Sequence, residues 1–124
     1  STRPGHPLPH AWVERGQGGD RMSTVNLVKP GRFLLIAGEE GHDWCAAAAQ
    51  LSTELGVPVD AVRIGHASGD LLDPRMSWTR LREHGPRGAI LVRPDRFVAW
   101  RSHHEVNDPH GLLRSVLNQV LHRS

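Results

Sequence analysis

Apolar residues along the chain gather into blocks whose spacing changes from block to block. Phe33-Leu34-Leu35-Ile36-Ala37 is an unbroken apolar run closed by Gly38. A run of that length without alternation predicts a strand buried on both faces. Trp44, Ala47, Ala48, Leu51 and Leu55 then recur at helical spacing. With Asp43 as N-cap, they predict a helix from Trp44 to Leu55. Gly56 stands where a left-handed stop belongs, and Pro58 follows it. Val57 to Ile64 predicts a second strand, with Val59, Ala61 or Val62, and Ile64 as its apolar positions. Residues 65–76 hold Gly65, Gly69, Asp70, Asp73 and Pro74 and predict a loop, followed by a short helix or turn around Ser77 to His84. Gly88-Ala89-Ile90-Leu91-Val92 is a third strand, and Phe97 to Trp100 a fourth. Arg93-Pro94-Asp95-Arg96 supplies turn chemistry between them, so residues 88–101 form a hairpin. Asp108 caps a last helix with Pro109 at its first position. Leu112, Leu113, Val116, Leu117, Val120 and Leu121 line one face of it; Arg114, Ser115, Asn118 and Gln119 line the other.

Residues 1–22 break the pattern. Pro4, Pro7 and Pro9 are followed by Gly16, Gly18 and Gly19. Fixed φ, missing donors and high backbone entropy argue against a regular element there. The expected organisation is therefore a linker or arm over 1–22, with Trp12 and Val13 holding it to a surface, and one domain over 23–124. The element order is β-α-β, a connection, a hairpin and a helix. A helix between two strands implies a parallel pair with a right-handed crossover; the hairpin adds antiparallel strands. The fold class is α/β: a central mixed sheet of four to five strands with helices on both faces, the thioredoxin-like arrangement.

Composition adds limits. The 124 residues suit one domain, and 38% hydrophobic with 23% charged residues excludes disorder by composition. Aromatics are only 5%, so the core rests on Leu, Val, Ile and Ala. Net charge is +2, and the basic residues are Arg apart from Lys29. Acidic residues are interspersed with them, Glu83 within the stretch Arg80 to Arg87, which describes a solvated surface and not a nucleic-acid footprint. No run approaches the roughly 18 apolar residues of a membrane span, and no signal pattern opens the chain. Cys45 is the single cysteine, which excludes an internal disulfide and fits a reducing cytoplasm. Abundant Arg, Ala and Gly with one Lys point to a GC-rich bacterial source.

Redox chemistry in this fold needs two cysteines, two residues apart, at the start of the helix after the first central strand. Cys45 lies there, but the position three further on is Ala48. A one-cysteine peroxidase or reductase using Cys45 stays open beside a small packed residue. The histidines are His6, His10, His42, His66, His84, His103, His104, His110 and His122. His6 and His10 have ligand spacing, but Pro7 and Pro9 forbid the helix that would align them. Glu39 with His42, and His103-His104-Glu105 with Asp108, fall in loops; surface histidines and no metal are expected. Asp70 and Asp73 are read as a solvated turn. Gly38-Glu39-Glu40-Gly41 stands where a phosphate loop would, yet its glutamates repel phosphate. Neither Gly-x-Gly-x-x-Gly nor Gly-x-Ser-x-Gly occurs. No catalytic, cofactor-binding or metal residue is therefore expected. The distinctive segment is the hairpin. Arg93, Asp95, Trp100 and Arg101 fit either a surface pair or an interdomain or dimer contact, where Arg and Trp are enriched.

These segments together resemble one family. Pro9-His10-Ala11-Trp12 resembles the Pro-His-x-Trp opening of the C-terminal domain of FAD-dependent aromatic-ring hydroxylases, the phenol and polyketide hydroxylases. Ser23-Thr24-Val25-Asn26-Leu27 resembles its Ser-Thr-x-Asp-Leu segment, with Asn26 for the Asp. Phe33-Leu34-Leu35 and Trp44 resemble its first strand and helix. Gly88 to Asp95, with Val98-Ala99-Trp100-Arg101, resembles its most distinctive signature. The resemblance runs from about Pro9 to Leu121. It implies a thioredoxin-like domain without redox cysteines. It also implies a parent enzyme that uses FAD and NADPH to place an oxygen atom from O2 on an aromatic ring, through FAD-binding and substrate domains lying N-terminal to this one. Three functions follow for comparison: a non-catalytic accessory domain serving stability or homodimer contacts, a stand-alone thiol enzyme using Cys45, and an independent binding module.

Overall fold

A computed structural model describes residues 1–122 of the chain. The strands are β1 (Trp12–Glu14), β2 (Arg21–Ser23), β3 (Phe33–Ala37), β4 (Val59–Gly65), β5 (Leu71–Leu72), β6 (Ala89–Val92) and β7 (Val98–Ser102). The helices are α1 (His42–Leu55), α2 (Ser77–Arg82) and α3 (Pro109–Val120). One mixed sheet runs in the order β2-β1-β5-β4-β3-β6-β7. β3 and β4 are parallel, with Leu35 opposite Ala61. β6 is antiparallel to β3 and to β7. All five residues of β3 are buried, as its unbroken apolar run predicts.

Alternation along β3 divides the core. Phe33, Leu35 and Ala37 face α1 and α3 together with Leu91, Trp44, Leu51, Leu113 and Leu117. Leu34 and Ile36 face the other side with Ile64, Ile90, Val92, Val98 and Trp78 of α2. Helices thus cover both faces, and the expected α/β arrangement holds. Gly56 ends α1 in the left-handed conformation, at φ 65°. Asp108 caps α3, accepting from Gly111 N at 3.0 Å, with Pro109 at its start. Leu113, Val116 and Leu117 are the buried stripe of α3, whereas Leu112 is exposed.

Three expectations need correction. The sheet has seven strands, not four to five, because β1, β2 and β5 are only two or three residues long. Such short strands leave no legible alternation. Residues 1–22 are not free of regular structure. They supply β1 and the start of β2, and Leu8, Ala11 and Val13 are buried in the α2-side core. The arm first lies along the outer edge of β7: Gly5 N donates to Val98 O at 2.8 Å, Val98 N to His6 O at 2.9 Å, and Leu8 N to Arg96 O at 2.8 Å. It then reaches β1 near the far edge, so the chain's Pro-rich start covers an otherwise open edge. Finally, α1 begins at His42 with Gly41 as its cap, and Asp43 lies inside the first turn. A Cβ on Gly41 would stand 2.7 Å from Cβ of Ala37. Tight packing of that loop, and not an Asp cap, sets where α1 starts. Asp43 still complements the positive helix end.

Candidate functional site

α1 begins just after the C-terminal end of β3, and Cys45 lies in its first turn. Cys45 N donates to Gly41 O at 3.3 Å, which fixes the thiol in the first turn. The residue is partly exposed, yet burial, with a smaller contribution from Asp70, pushes its thiol up to about 11. At neutral pH the thiolate fraction is negligible, although reactivity requires the thiolate. Ala48, at the resolving position, is a buried core residue.

Segment 85–88 closes over the end of β3 and the Trp44 side of the first turn of α1. Gly38 N donates to Gly88 O at 2.9 Å, and Glu40 N donates to Pro86 O at 2.9 Å. Trp44 Nε1 donates to Arg87 O at 2.8 Å. A Cβ on Gly38 would lie 2.3 Å from Pro86 O, so only glycine permits the approach. What is left between Glu40, Trp44, Arg87 and Val106 is a cleft of about 30 Å³. Arg87 stands exposed at its mouth, 3.4 Å from both Glu40 and Glu105. Gly38 N, Glu40 N and Trp44 Nε1 are all spent on backbone carbonyls of segment 85–88.

Behind the loop lies a polar cluster that the sequence pattern did not announce. Arg82 is buried and pairs with Glu39 at 3.1 Å. Its guanidinium also donates to Ile64 O at 3.2 Å. Asp73, read from sequence as part of a solvated turn, is fully buried. It accepts from Thr79 N at 2.7 Å and Thr79 Oγ1 at 2.8 Å, holding the first turn of α2. His84 is also buried, against the expectation of surface histidines. Its Nδ1 lies 2.7 Å from Gly85 O and donates to it. Burial lowers the His84 pKa to about 4, with Arg82 adding to the effect. Asp73 accepts through Oδ2 alone; its Oδ1, Arg82 Nε and His84 Nε2 are buried without a hydrogen-bond partner. An Asp six residues ahead of Thr79, just before a short helix, was the one available signal. The remaining histidines do not converge, and no cluster among the described residues could hold a metal ion. His10 lies 2.6 Å from Ser23, His103 contacts Glu83 O at 2.9 Å, and His110 contacts Glu54 at 3.1 Å.

The four hairpin residues are not brought together. Arg93 and Asp95 pair across the exposed turn, with Arg93 Nε 3.1 Å from Asp95 Oδ1. The guanidinium holds the Asp95 carboxyl below its ordinary range. Phe97 N also donates to Asp95, and Arg96 takes the left-handed conformation that completes the turn. Trp100 points to the α1 side, with its ring 5.2 Å from that of Trp44 at 63°. Arg101 pairs with Leu91's neighbour Ile90 in register and reaches Thr2 and Glu83 on the opposite side. A bulge between the Leu91 and Val92 pairings lies beside Trp100.

A larger, open cleft lies elsewhere. Trp12 is 52% exposed. It stands between Arg21, 5.3 Å over its ring, and His10, edge-on at 4.8 Å. Together with Glu14, Asp20, Pro74 and Arg75 it lines an open cleft of about 580 Å³. No helix among the described residues is long and apolar enough to cross a membrane.

Comparison with known proteins gives a consistent result. The family model described as "Aromatic-ring hydroxylase, C-terminal" matches residues 1–124. The aklavinone 12-hydroxylase of Streptomyces purpurascens is 46% identical over 123 residues, covering 99% of this chain and 22% of the relative. The tetracenomycin A2 monooxygenase-dioxygenase of Streptomyces glaucescens is 42% identical over 122 residues, covering 98% and 21%. Among solved structures, aklavinone-11 hydroxylase in a ternary complex with FAD and aklavinone superposes with a TM-score of 0.89 at 46% identity, over 99% of this chain and 22% of that one. The flavin-dependent monooxygenase PieE, in complex with FAD and substrate, gives 0.85 at 40%, over 100% and 21%. The chain therefore spans about a fifth of the length of the relatives it matches.

Proposed function

This chain belongs to the family of aromatic-ring hydroxylase C-terminal domains, and from that membership we propose that it is a non-catalytic accessory domain of a flavin-dependent aromatic monooxygenase. The observation that carries the reading is the closed site after β3. One protonated thiol, no resolving cysteine and a loop hydrogen-bonded over the end of β3 argue against the thiol chemistry that this position serves elsewhere in the fold.

The parent enzyme uses FAD and NADPH to place one oxygen atom of O2 on an aromatic ring. The residues of this chain do not fit FAD. Glu39 and Glu40 occupy the one loop positioned for a phosphate, and segment 85–88 covers it. The flavin is held by the FAD-binding region preceding this domain, and the ring by the substrate domain beside it. The role left to this domain is to stabilise the parent or to supply contacts, including contacts with a second copy. Of the four hairpin residues, Arg93 and Asp95, paired with each other on the exposed turn, are the ones placed to serve such a contact. Trp100 and Arg101 are engaged within the domain. A single cysteine held as a thiol suits a reducing cytoplasm.

The reading is tested by the intact mass of the native protein and the coding sequence upstream of Ser1. The expected chain is about five times longer than this one, in proportion to its relatives. It carries a Gly-x-Gly-x-x-Gly strand-turn-helix unit before this domain. A native protein of 124 residues, or an upstream region without that unit, rules the hydroxylase reading out.

A further inference from the structure

The first residues of the chain have the composition of a tether but the environment of a core. Thr2 is fully buried. Its Oγ1 donates to Arg82 O, its N–H donates to Glu83 Oε1 at 3.1 Å, and Arg101 Nη1 donates to its Oγ1 at 3.3 Å. The partners are themselves fixed. Arg82 is the caged guanidinium paired with Glu39, Glu83 lies 3.6 Å from Arg101, and Glu83 O receives His103 Nδ1 at 2.9 Å. From Thr2 the chain runs without a slack stretch. Residues 5–8 pair with the edge of β7, and Thr24 Oγ1 donates to Pro9 O at 2.7 Å. Ala11 N then donates to Thr24 Oγ1 at 3.1 Å, and Thr24 N to Ala11 O at 2.9 Å. A threonine with no charge and one hydroxyl is buried at the cost of its rotamer freedom and backbone entropy. Three hydrogen bonds to residues about 80 to 100 positions away offset that cost.

We propose that Thr2 is a latch that holds the interdomain connection of the parent chain rigid, seating the preceding region against the polar corner formed by Arg3, Glu83 and His103, with Arg101 fixing Thr2 and Glu83 from within the domain. This rests on the accessory-domain reading, which places a flavin-bearing region ahead of Ser1. A chain leaving Ser1 departs from that corner, beside the C-terminal end of α2, and a latched segment cannot swivel there. Arg3, Glu83 and His103 are exposed, and none of the large exposed apolar side chains, Trp12, Met76, Phe97 and Leu112, belongs to the corner. The contact it fits is accordingly a polar one, as contacts between domains of one chain commonly are.

Two readouts test the latch. Hydrogen–deuterium exchange of this chain is expected to show the amides of Thr2, Gly5 and Leu8 protected. Thr2→Val should speed them by about tenfold, Thr2→Ser should leave them near their original rates, and β3 and β6 should not change. In the parent, spin labels at exposed Thr53 and on the flavin-bearing region should give one narrow distance distribution that broadens in Thr2→Val. Unprotected arm amides in the unaltered chain overturn the latch, as does a Thr2→Val chain indistinguishable from it. A broad distribution in the unaltered parent overturns the rigid seating. A native protein lacking a flavin-bearing region overturns the accessory-domain reading instead, and leaves the exchange result in this chain standing.

Discussion

Replacing Trp44 with Ala is expected to destabilise the chain by about 3–5 kcal/mol, the range for deleting a buried large aromatic. Trp44 is 2% exposed and sits in the core beneath α3, among Leu35, Leu51, Leu91 and Leu113. Its loss removes three things together. The indole volume goes, leaving a cavity that the β3 and α1 backbones cannot collapse into. The edge-to-face contact with Trp100 goes. The donor to Arg87 O goes as well, so segment 85–88 loses one of the three bonds that close the site. Urea unfolding followed by circular dichroism should show the midpoint falling, and the melting temperature should drop on the order of 10–20 °C. Trp12→Ala, at the half-exposed tryptophan, should stay within about 0.5 kcal/mol. A Trp44→Ala chain as stable as the original would mean that the site is not closed in the way described.

Acidification is expected to weaken the fold before the carboxylates titrate. The ordinary histidine pKa of 6.5 falls to about 4 at His84, mainly because burial penalises the charged imidazolium. Arg82 and His103 also oppose the charge, while the bond to Gly85 and the nearby Glu39 favour it. A depressed pKa in the folded state means that the unfolded chain binds the proton first. The stability His84 confers is therefore complete above pH 6.5, falls as the pH drops toward 4, and is gone below that. The total is about 3 kcal/mol. Glu83 and Asp95 have carboxyls held below their ordinary values by hydrogen bonds, to Ser1 and Thr2 and to Arg93 respectively. Their stability is lost only at lower pH, which keeps the interval from 6.5 to 4.5 characteristic of His84. Unfolding free energies measured between pH 7.5 and 4.5 should fall in the unaltered chain and be markedly flatter in His84→Gln. Parallel slopes would show that His84 is not held neutral.

The central elements were readable because each carries a periodicity long enough to register. β3 shows five consecutive apolar residues, α3 repeats over three turns behind an Asp-Pro start, and the hairpin strands flank Pro94 and Asp95. The outer strands were not readable. β1, β2 and β5 are defined by the neighbour they pair with, and Pro and Gly around them mask any alternation. The arm's regular pairing is hidden for a related reason. Pro4, Pro7 and Pro9 exclude helix and central strand, but not an edge, where missing donors cost nothing.

The site was half legible. The spacing from Cys45 to Ala48 already excludes a dithiol. The closing loop was not visible, because its bonds run from Gly38, Glu40 and Trp44 to carbonyls that any residue carries. Nor were Arg82, Asp73 and His84 recognisable as buried. Burial of a polar residue is favoured by a partner that meets it in the fold; Asp73 ahead of Thr79 is a local hint of this, whereas the pairing of Arg82 with Glu39 and the burial of His84 leave no mark in the sequence. Trp100 and Arg101 stand out in the sequence, and in the structure Trp100 meets Trp44 while Arg101 reaches Thr2 and Glu83.

The most direct test of an accessory, non-catalytic domain is hydroxylation per bound flavin in the parent enzyme with and without residues 1–124. Turnover per flavin should remain within about threefold, with a lower melting temperature as the main effect. A group taking part in proton transfer contributes about 10²–10⁴-fold. A truncated enzyme that still holds its flavin but has lost about a hundredfold or more in turnover would contradict the account, and would place a catalytic residue within this chain.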